Sequence, residues 1–225
     1  MGIIPCYSAY FLVTRQRPRR RSYVGRKDNH MKNDFERIFE FTIELDRLKA
    51  ILRKTKPSGL DRYENTAEHS WQVCLLALTL TEHSVWPVDP ARVVELLLVH
   101  DIPEIDAGDQ IVYAVSDGVQ ENERAAAERI FGLLPEQQGE RLLSLWNEFT
   151  LRQTAEARFA YAMDRLMPVL HNIYNNGQSW QENHIPLKKV LSVNSVIGDT
   201  CPEVWLHIKA RVQELAANGF FSHQG

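Results

Sequence analysis

The chain has 225 residues, the size of one domain, because single hydrophobic cores grow to roughly 250 residues before chains divide. Hydrophobic residues make up 44% and charged residues 24%, which excludes wholesale disorder. No run approaches the roughly 18 uninterrupted apolar residues of a membrane helix, and the net charge of −3 gives no bias toward nucleic acid. The three cysteines (Cys6, Cys74, Cys201) fit neither a disulfide framework nor a CxxC site, so a reducing, cytoplasmic compartment is expected.

Residues 1–30 differ in charge from the rest of the chain. They hold seven bases and one acid, a local charge of +6, so residues 31–225 carry −9. Dense arginine is typical of a transit peptide or a basic arm. We favour the alternative that Met31 is the native start and that residues 1–30 are upstream sequence, because Met31 directly precedes an amphipathic run. In either case we expect a disordered leader (1–30) and one folded domain (31–225).

The first periodic segment predicts a helix from about residue 35. Its apolar residues recur every three or four positions: Phe35, Ile38, Phe39, Leu45, Leu48 and Leu52. Asp34 is the candidate N-cap, and Pro57-Ser58-Gly59 is expected to end the helix.

Later segments continue the helical pattern. Asn65 or Thr66 can cap a helix that runs to about His83, and Asp89-Pro90 is a typical start for the apolar helix that ends near Val99. Further helices are predicted at about 119–132, 136–149, 154–176, 187–197 and 202–217. No glycine-spaced strand hairpin or internal repeat occurs, so the predicted fold is an all-α bundle.

Four polar residues interrupt these apolar patterns. His69, the pair His100-Asp101, and Asp164 lie in three different helical segments, where an unpaired charge would be costly. A divalent cation would satisfy all four together, with two imidazole nitrogens and two carboxylate oxygens as ligands. The alternative is that each residue is satisfied separately by a hydrogen bond in the core.

The order His69, His100-Asp101, Asp164 resembles the HD-domain metal-dependent phosphohydrolases. The string from His100 to Asp109, HDIPEIDAGD, is similar to the branch that contains the bacterial 5′-deoxynucleotidases and their eukaryotic relatives. Two flanking segments, RLKAILR (47–53) and ENTAEHS (64–70), strengthen the similarity. The resemblance implies an HD-domain helical bundle with one divalent ion on these four residues. Mixed nitrogen and oxygen ligands without thiolate suit Mn²⁺, Co²⁺, Fe²⁺ or Mg²⁺.

The resemblance also implies roles for other residues. Glu104 is the candidate acid or base, Asp109 would position water or a sugar hydroxyl, and Arg53, at the end of the first helix, would clamp the phosphate. Arg62 is a second phosphate-binding candidate. The bacterial nucleotidases carry a tryptophan after the arginine, where this chain has Lys54, so a different base or sugar preference is expected.

Together these features predict a phosphomonoesterase that removes phosphate from (deoxy)nucleoside 5′-monophosphates by attack of metal-bound water. The alternatives are an HD phosphohydrolase for another nucleotide or phosphate ester, and a non-catalytic HD-like binding module. Neither nucleic acid nor membrane is expected as a partner. The resemblance and the apolar faces after residue 180 favour a homodimer, although these faces can equally pack on the chain's own core.

Overall fold

The structure, a computed structural model, describes residues 27–113 and 119–221. Its helices are α1 (Lys27–Glu44), α2 (Thr66–Leu80), α3 (Pro90–Val99), α4 (Glu104–Ala107), α5 (Val119–Phe131), α6 (Glu136–Leu151), α7 (Ala155–Tyr174), α8 (Gln178–Glu182), α9 (Leu187–Val193), α10 (Val196–Thr200) and α11 (Pro202–Ala217). Two 3-10 helices, Leu45–Ala50 and Thr81–His83, follow α1 and α2. These residues contain no β-strand, only an isolated bridge between Leu52 and Asn65. The predicted all-α fold is confirmed.

Local capping sets the starts of the helices that carry the site. Asn65 forms a capping box with Glu68 at the start of α2, since each side chain accepts a hydrogen bond from the other residue's backbone N–H. Asp89 caps α3, and Pro90 occupies its first turn, where a missing N–H costs nothing. Thr154 caps α7 by accepting from the backbone of Ala157. The caps predicted for α2 and α3 are therefore present.

Helix α7 is the centre of the bundle and packs against α2, α3, α6, α10 and α11. Its side chains Phe159, Met163 and Leu166 are buried, and Leu96 and Leu97 of α3 are buried with them. Burying such side chains contributes roughly 1.5–3 kcal/mol each. Because α2, α3 and α7 pack against one another, polar residues on their facing sides are held in fixed relative positions.

The predictions for the first helix are partly wrong. Helix α1 begins at Lys27, so Asp34 lies in its interior and is not its N-cap. The helical segment ends at Ala50, before the turn at 57–59, and Arg53 lies in an extended segment rather than in a helix. The boundary expected after residue 30 falls inside α1, and residues 1–26 lie outside the described residues.

The C-terminal helices pack on the chain's own core. Val190, Ile197, Ile208 and Val212 are buried there, which supports the second alternative given for these apolar faces. The helix predicted at 187–197 is divided into α9 and α10 at Asn194, whose side chain donates to the Val190 carbonyl. None of the helices in the described part of the chain has the length and apolar character needed to span a membrane.

Candidate metal centre

The structure brings together the four residues proposed as metal ligands. His69 lies on α2, His100 at the C-cap of α3, Asp101 directly after it, and Asp164 on α7. One candidate ligand atom from each lies within 4.8 Å of the others. Asp164 Oδ1 is 3.1 Å from His69 Nε2 and 3.6 Å from His100 Nε2, and Asp101 Oδ2 is 3.0 Å from His100 Nε2. Three helices thus deliver two imidazoles and two carboxylates to one point.

Both histidines present Nε2 to this point because their Nδ1 atoms face other acceptors. His100 Nδ1 lies 2.7 Å from the Leu97 carbonyl oxygen, to which it donates. His69 Nδ1 lies 3.3 Å from Oε2 of Glu64, a charge contact without hydrogen-bond geometry. In metal sites a partner of this kind fixes the tautomer and the ring orientation of the ligand.

The residues fit a divalent metal ion. His100 Nε2 is buried and has no hydrogen-bond partner among the described residues. Burial lowers the pKa of His100, but Asp101 and Asp164 outweigh it and raise the pKa to about 10. Burial raises the pKa of Asp101, yet His100 and Arg53 outweigh it and lower the pKa to about 2. The site therefore favours positive charge at His100 Nε2, and its nitrogen and oxygen donors suit Mn²⁺, Co²⁺, Fe²⁺ or Mg²⁺.

Arg53 lies beside the four ligands on a short backbone pairing. Its N–H donates to the Glu64 carbonyl at 2.8 Å, and the Glu64 N–H donates to the Thr55 carbonyl at 2.9 Å. Its Nη1 lies 2.7 Å from Asp101 Oδ2 and 3.4 Å from Asp109 Oδ1. The extended backbone of 51–55, not a helix, therefore directs Arg53 into the site.

Glu104 and Asp109 also lie at the site. Glu104 begins α4, and its Oε2 accepts a 2.8 Å hydrogen bond from the Thr66 hydroxyl. Burial and the charge of Asp101 hold the pKa of Glu104 well above its usual range. Gly108 ends α4 with φ of 76°, a conformation that favours glycine, and the chain then brings Asp109 to Arg53. Burial raises the pKa of Asp109. The surroundings of Glu104 thus favour the protonated form of its carboxyl group more than water does.

Arg62 is not brought to the site. Its exposed guanidinium binds both oxygens of Glu68 at 2.5 and 2.9 Å, and within the described residues it has no ion pair with the four ligands. Lys54 lies nearer to the site than Arg62 does, because it lines a small cavity of about 50 Å³ together with Arg53. The role predicted for Arg62 in phosphate binding stays a prediction.

Three residues at the site were missed by the sequence reasoning. Glu64 is fully buried, with Oε2 3.3 Å from His69 Nδ1 and 3.7 Å from His171 Nδ1. Arg165 Nη2 lies 2.9 Å from Asp164 Oδ2. His171 faces Glu64, and burial lowers its pKa. The only available signals were the position of Glu64 in the ENTAEHS segment and that of Arg165 beside Asp164.

An open cleft of about 200 Å³ reaches three of the four candidate ligands, while His69 is fully buried. His100, Asp101, Asp164 and Arg53 line one part of it, and Phe149, Tyr161 and Arg152 line another. The Arg152 guanidinium lies 4.3 Å from the centre of the Tyr161 ring. The cleft therefore combines a cation-binding cluster with an aromatic and basic wall, an arrangement suited to a small organic anion.

Comparison with known proteins decides the family. The HD domain family matches residues 45–205, which contain all four candidate ligands. The chain belongs to the HD-domain family. The resemblance predicted from the sequence motifs is therefore confirmed.

Solved structures agree with this assignment. A predicted metal-dependent phosphohydrolase from Magnetospirillum magnetotacticum is 38% identical, with a TM-score of 0.81 over 86% of this chain and 98% of that chain. The PH0347 protein from Pyrococcus horikoshii has a TM-score of 0.57 at 17% identity, over 77% of this chain and 99% of that chain. The second similarity shows the shared fold alone.

Curated relatives match a shorter part of this HD-domain chain. The 5′-deoxynucleotidase HDDC2 of Homo sapiens is 28% identical over 117 residues, half of this chain and 54% of that protein. The Bos taurus protein of the same name is 32% identical over 118 residues, with the same shares. The chain thus spans about half the length of the curated relatives it matches.

Proposed function

We propose that this protein is a metal-dependent phosphohydrolase that removes phosphate from (deoxy)nucleoside 5′-monophosphates. The observation that supports it is the convergence of the four candidate ligands with Arg53, Glu104 and Asp109 at one cleft. The similarity to the 5′-deoxynucleotidases named above favours a nucleotide as the substrate. A pure binding module would gain nothing from burying this many titratable groups together.

His69, His100, Asp101 and Asp164 would hold one divalent ion. When bound, such an ion polarises a phosphoryl oxygen and lowers the pKa of water toward neutrality. Mn²⁺, Co²⁺, Fe²⁺ and Mg²⁺ all suit the donors, and metal reconstitution of the purified protein distinguishes them.

The chain's own residues supply the remaining steps. Glu104, whose raised pKa favours the protonated form, would donate a proton to the departing 5′-oxygen of the nucleoside. Arg53 supplies positive charge beside the ligands and would attract the phosphate. Asp109, held by Arg53, would accept a hydrogen bond from water or from a sugar hydroxyl.

The proposal is tested by measuring phosphate release from a panel of phosphate esters. The panel contains deoxy- and ribonucleoside 5′-monophosphates, nucleoside triphosphates, a cyclic nucleotide and a sugar phosphate, each with Mn²⁺, Co²⁺ or Mg²⁺. We expect the 5′-monophosphates to be the best substrates and Asp101→Ala to be inactive. Faster release from another class would replace the substrate assignment, and no release from any ester would refute the phosphohydrolase assignment.

We also propose that the protein is a cytoplasmic homodimer. An exposed apolar row on α2 supports self-association, because Trp71, Leu75 and Leu78 lie on one face of the helix and are 63%, 46% and 47% exposed. The buried free thiols of Cys74 and Cys201 support a reducing compartment. Light scattering should give the mass of a dimer for the wild type and of a monomer for Trp71→Glu. A wild-type monomer would refute the dimer.

A further inference from the structure

Two arginines lie next to the candidate ligands, and they differ in how their donors are used. The guanidinium of Arg53 faces five carboxylates within 4.0 Å: Asp101 (2.7 Å), Asp109 (3.4 Å), Glu64 (3.7 Å), Glu104 (3.8 Å) and Asp164 (4.0 Å). Three of these contacts involve the same nitrogen, Nη1. Arg53 is therefore mainly occupied in holding the carboxylates of the site together.

Arg165 is far less occupied. Within the described residues it has one ion pair, from Nη2 to Asp164 Oδ2 at 2.9 Å, and its Nε is buried without a hydrogen-bond partner. Its side chain is only 12% exposed, yet it lines both the 200 Å³ cleft and the smaller cavity beside Arg53. Nη1 makes no hydrogen bond or ion pair with the described residues either, so its donors can bind an anion that enters the cleft.

The contact with Asp164 places Arg165 close to the metal centre. Asp164 Oδ1 faces His69 and His100, whereas Oδ2 accepts from Arg165. Arg165 thus contacts the four-residue cluster directly, through the second carboxylate oxygen of Asp164. The Tyr161 ring, 5.4 Å from the guanidinium carbon, packs against Arg165 and limits its motion.

We propose that Arg165 binds the phosphate of the substrate. A guanidinium offers up to five N–H donors in a planar fork that matches two phosphate oxygens, and most of these donors are uncommitted in Arg165. Arg53 then serves chiefly to neutralise the carboxylates, and Arg165 is the main phosphate contact. The inference rests on the proposed function for the identity of the anion as a phosphate ester.

The experiment uses inorganic phosphate as the probe and the Co²⁺-loaded full chain as the protein. The dissociation constant of phosphate is measured by calorimetry for the wild type, Arg165→Gln, Arg165→Lys and the control Arg211→Gln, with bound cobalt measured in each sample. Arg211 is an exposed arginine of α11 that pairs with Glu214 outside the cleft. The lysine variant keeps the charge and protects the test against misfolding of the glutamine variant.

We expect Arg165→Gln to weaken phosphate binding by roughly 10- to 100-fold, the usual range for a charged hydrogen bond, while cobalt stays bound. Arg165→Lys should lie between this variant and the wild type, because lysine is a point charge without a planar fork. Arg211→Gln should match the wild type. Phosphate affinity within twofold of the wild type in both Arg165 variants would overturn the inference. Loss of phosphate binding that extra cobalt restores would also overturn it, since Arg165 would then only position Asp164.

Failure of this inference can be told apart from failure of the proposed function, because phosphate binding requires no turnover. If the wild type hydrolyses no nucleotide but binds phosphate through Arg165, only the substrate assignment fails. If it hydrolyses nucleotides and the Arg165 variants bind phosphate normally, only the inference fails. A cobalt-loaded wild type with no measurable phosphate affinity would overturn the inference directly.

Discussion

Replacement of Glu64 by glutamine tests how the buried carboxylate supports the metal site. Glu64 is fully buried, and its Oε2 lies 3.3 Å from His69 Nδ1 and 3.7 Å from Arg53 Nε. Glutamine preserves the size of the side chain but removes its charge. The imidazole of His69 then loses the nearby negative charge that raises its basicity toward a metal.

The structure sets the expected size of this effect. Loss of a partner to a metal-binding histidine typically weakens metal affinity by roughly 10- to 100-fold, or about 1.4–2.7 kcal/mol. Glu64 is fully buried, so little bulk water screens its charge from His69. The same carboxylate also faces Arg53 and His171, so both lose a partner in the variant. We therefore expect an effect near the upper end of this range.

The assay is a titration of metal affinity in chelator-buffered Co²⁺. Turnover at saturating metal should recover to within a few-fold of the wild type, because Glu64 acts through His69 rather than on the substrate. Glu68→Gln is the matched control, since Glu68 lies on α2 next to His69 and glutamine can preserve its capping box. A Glu64→Gln affinity within twofold of that control would refute the role of Glu64 in positioning His69.

Three further variants separate the roles of the other site residues. Asp101→Ala should lose the bound metal, and its melting temperature should no longer rise when metal is added. In the wild type, metal at 100 times its dissociation constant should raise the free energy of unfolding by about 2.7 kcal/mol. Metal retained by the variant would contradict the proposed ligand set. Glu104→Gln should keep the metal while turnover falls by roughly two to four decades, and near-normal turnover would leave Asp109 as the acid or base candidate. Arg53→Gln should lower the free energy of unfolding by roughly 3–5 kcal/mol in denaturant titrations, because loss of the guanidinium leaves buried carboxylates uncompensated. An unchanged free energy of unfolding would contradict the role of Arg53 in neutralising these carboxylates.

The sequence predicted the long helices and the ligands because both leave local signals. Residues 90–99 and 202–217 are predicted as helices from apolar spacing, the first also from its Asp89-Pro90 start, and the structure has the same bounds. The candidate ligands were predicted from their polar character within apolar helices and from their order along the chain. The order of these residues along the chain can be recognised without any knowledge of how the helices pack.

Other features depend on contacts that the linear sequence does not display. The apolar spacing of the first predicted helix continues past residue 45, but the backbone there forms a 3-10 helix and then becomes extended. Helices α4 and α8 are only four and five residues long, too short to produce a recognisable period. Asp34 resembled an N-cap only because the basic segment before it was assigned to a disordered leader.

The position of Arg53 shows why part of the site could not be derived from helical spacing. The bridge between Leu52 and Asn65 places Arg53 and Glu64 side by side, although eleven positions separate them along the chain. This pairing turns Arg53 toward Asp101 and Asp109 on one side and sets Glu64 against His69 on the other. If the helix continued to the turn at 57–59, the backbone hydrogen bonds that join Glu64 to Arg53 and Thr55 could not form. Arg53 and Glu64 are therefore held by the irregular backbone between α1 and α2, where residue periodicity carries no signal.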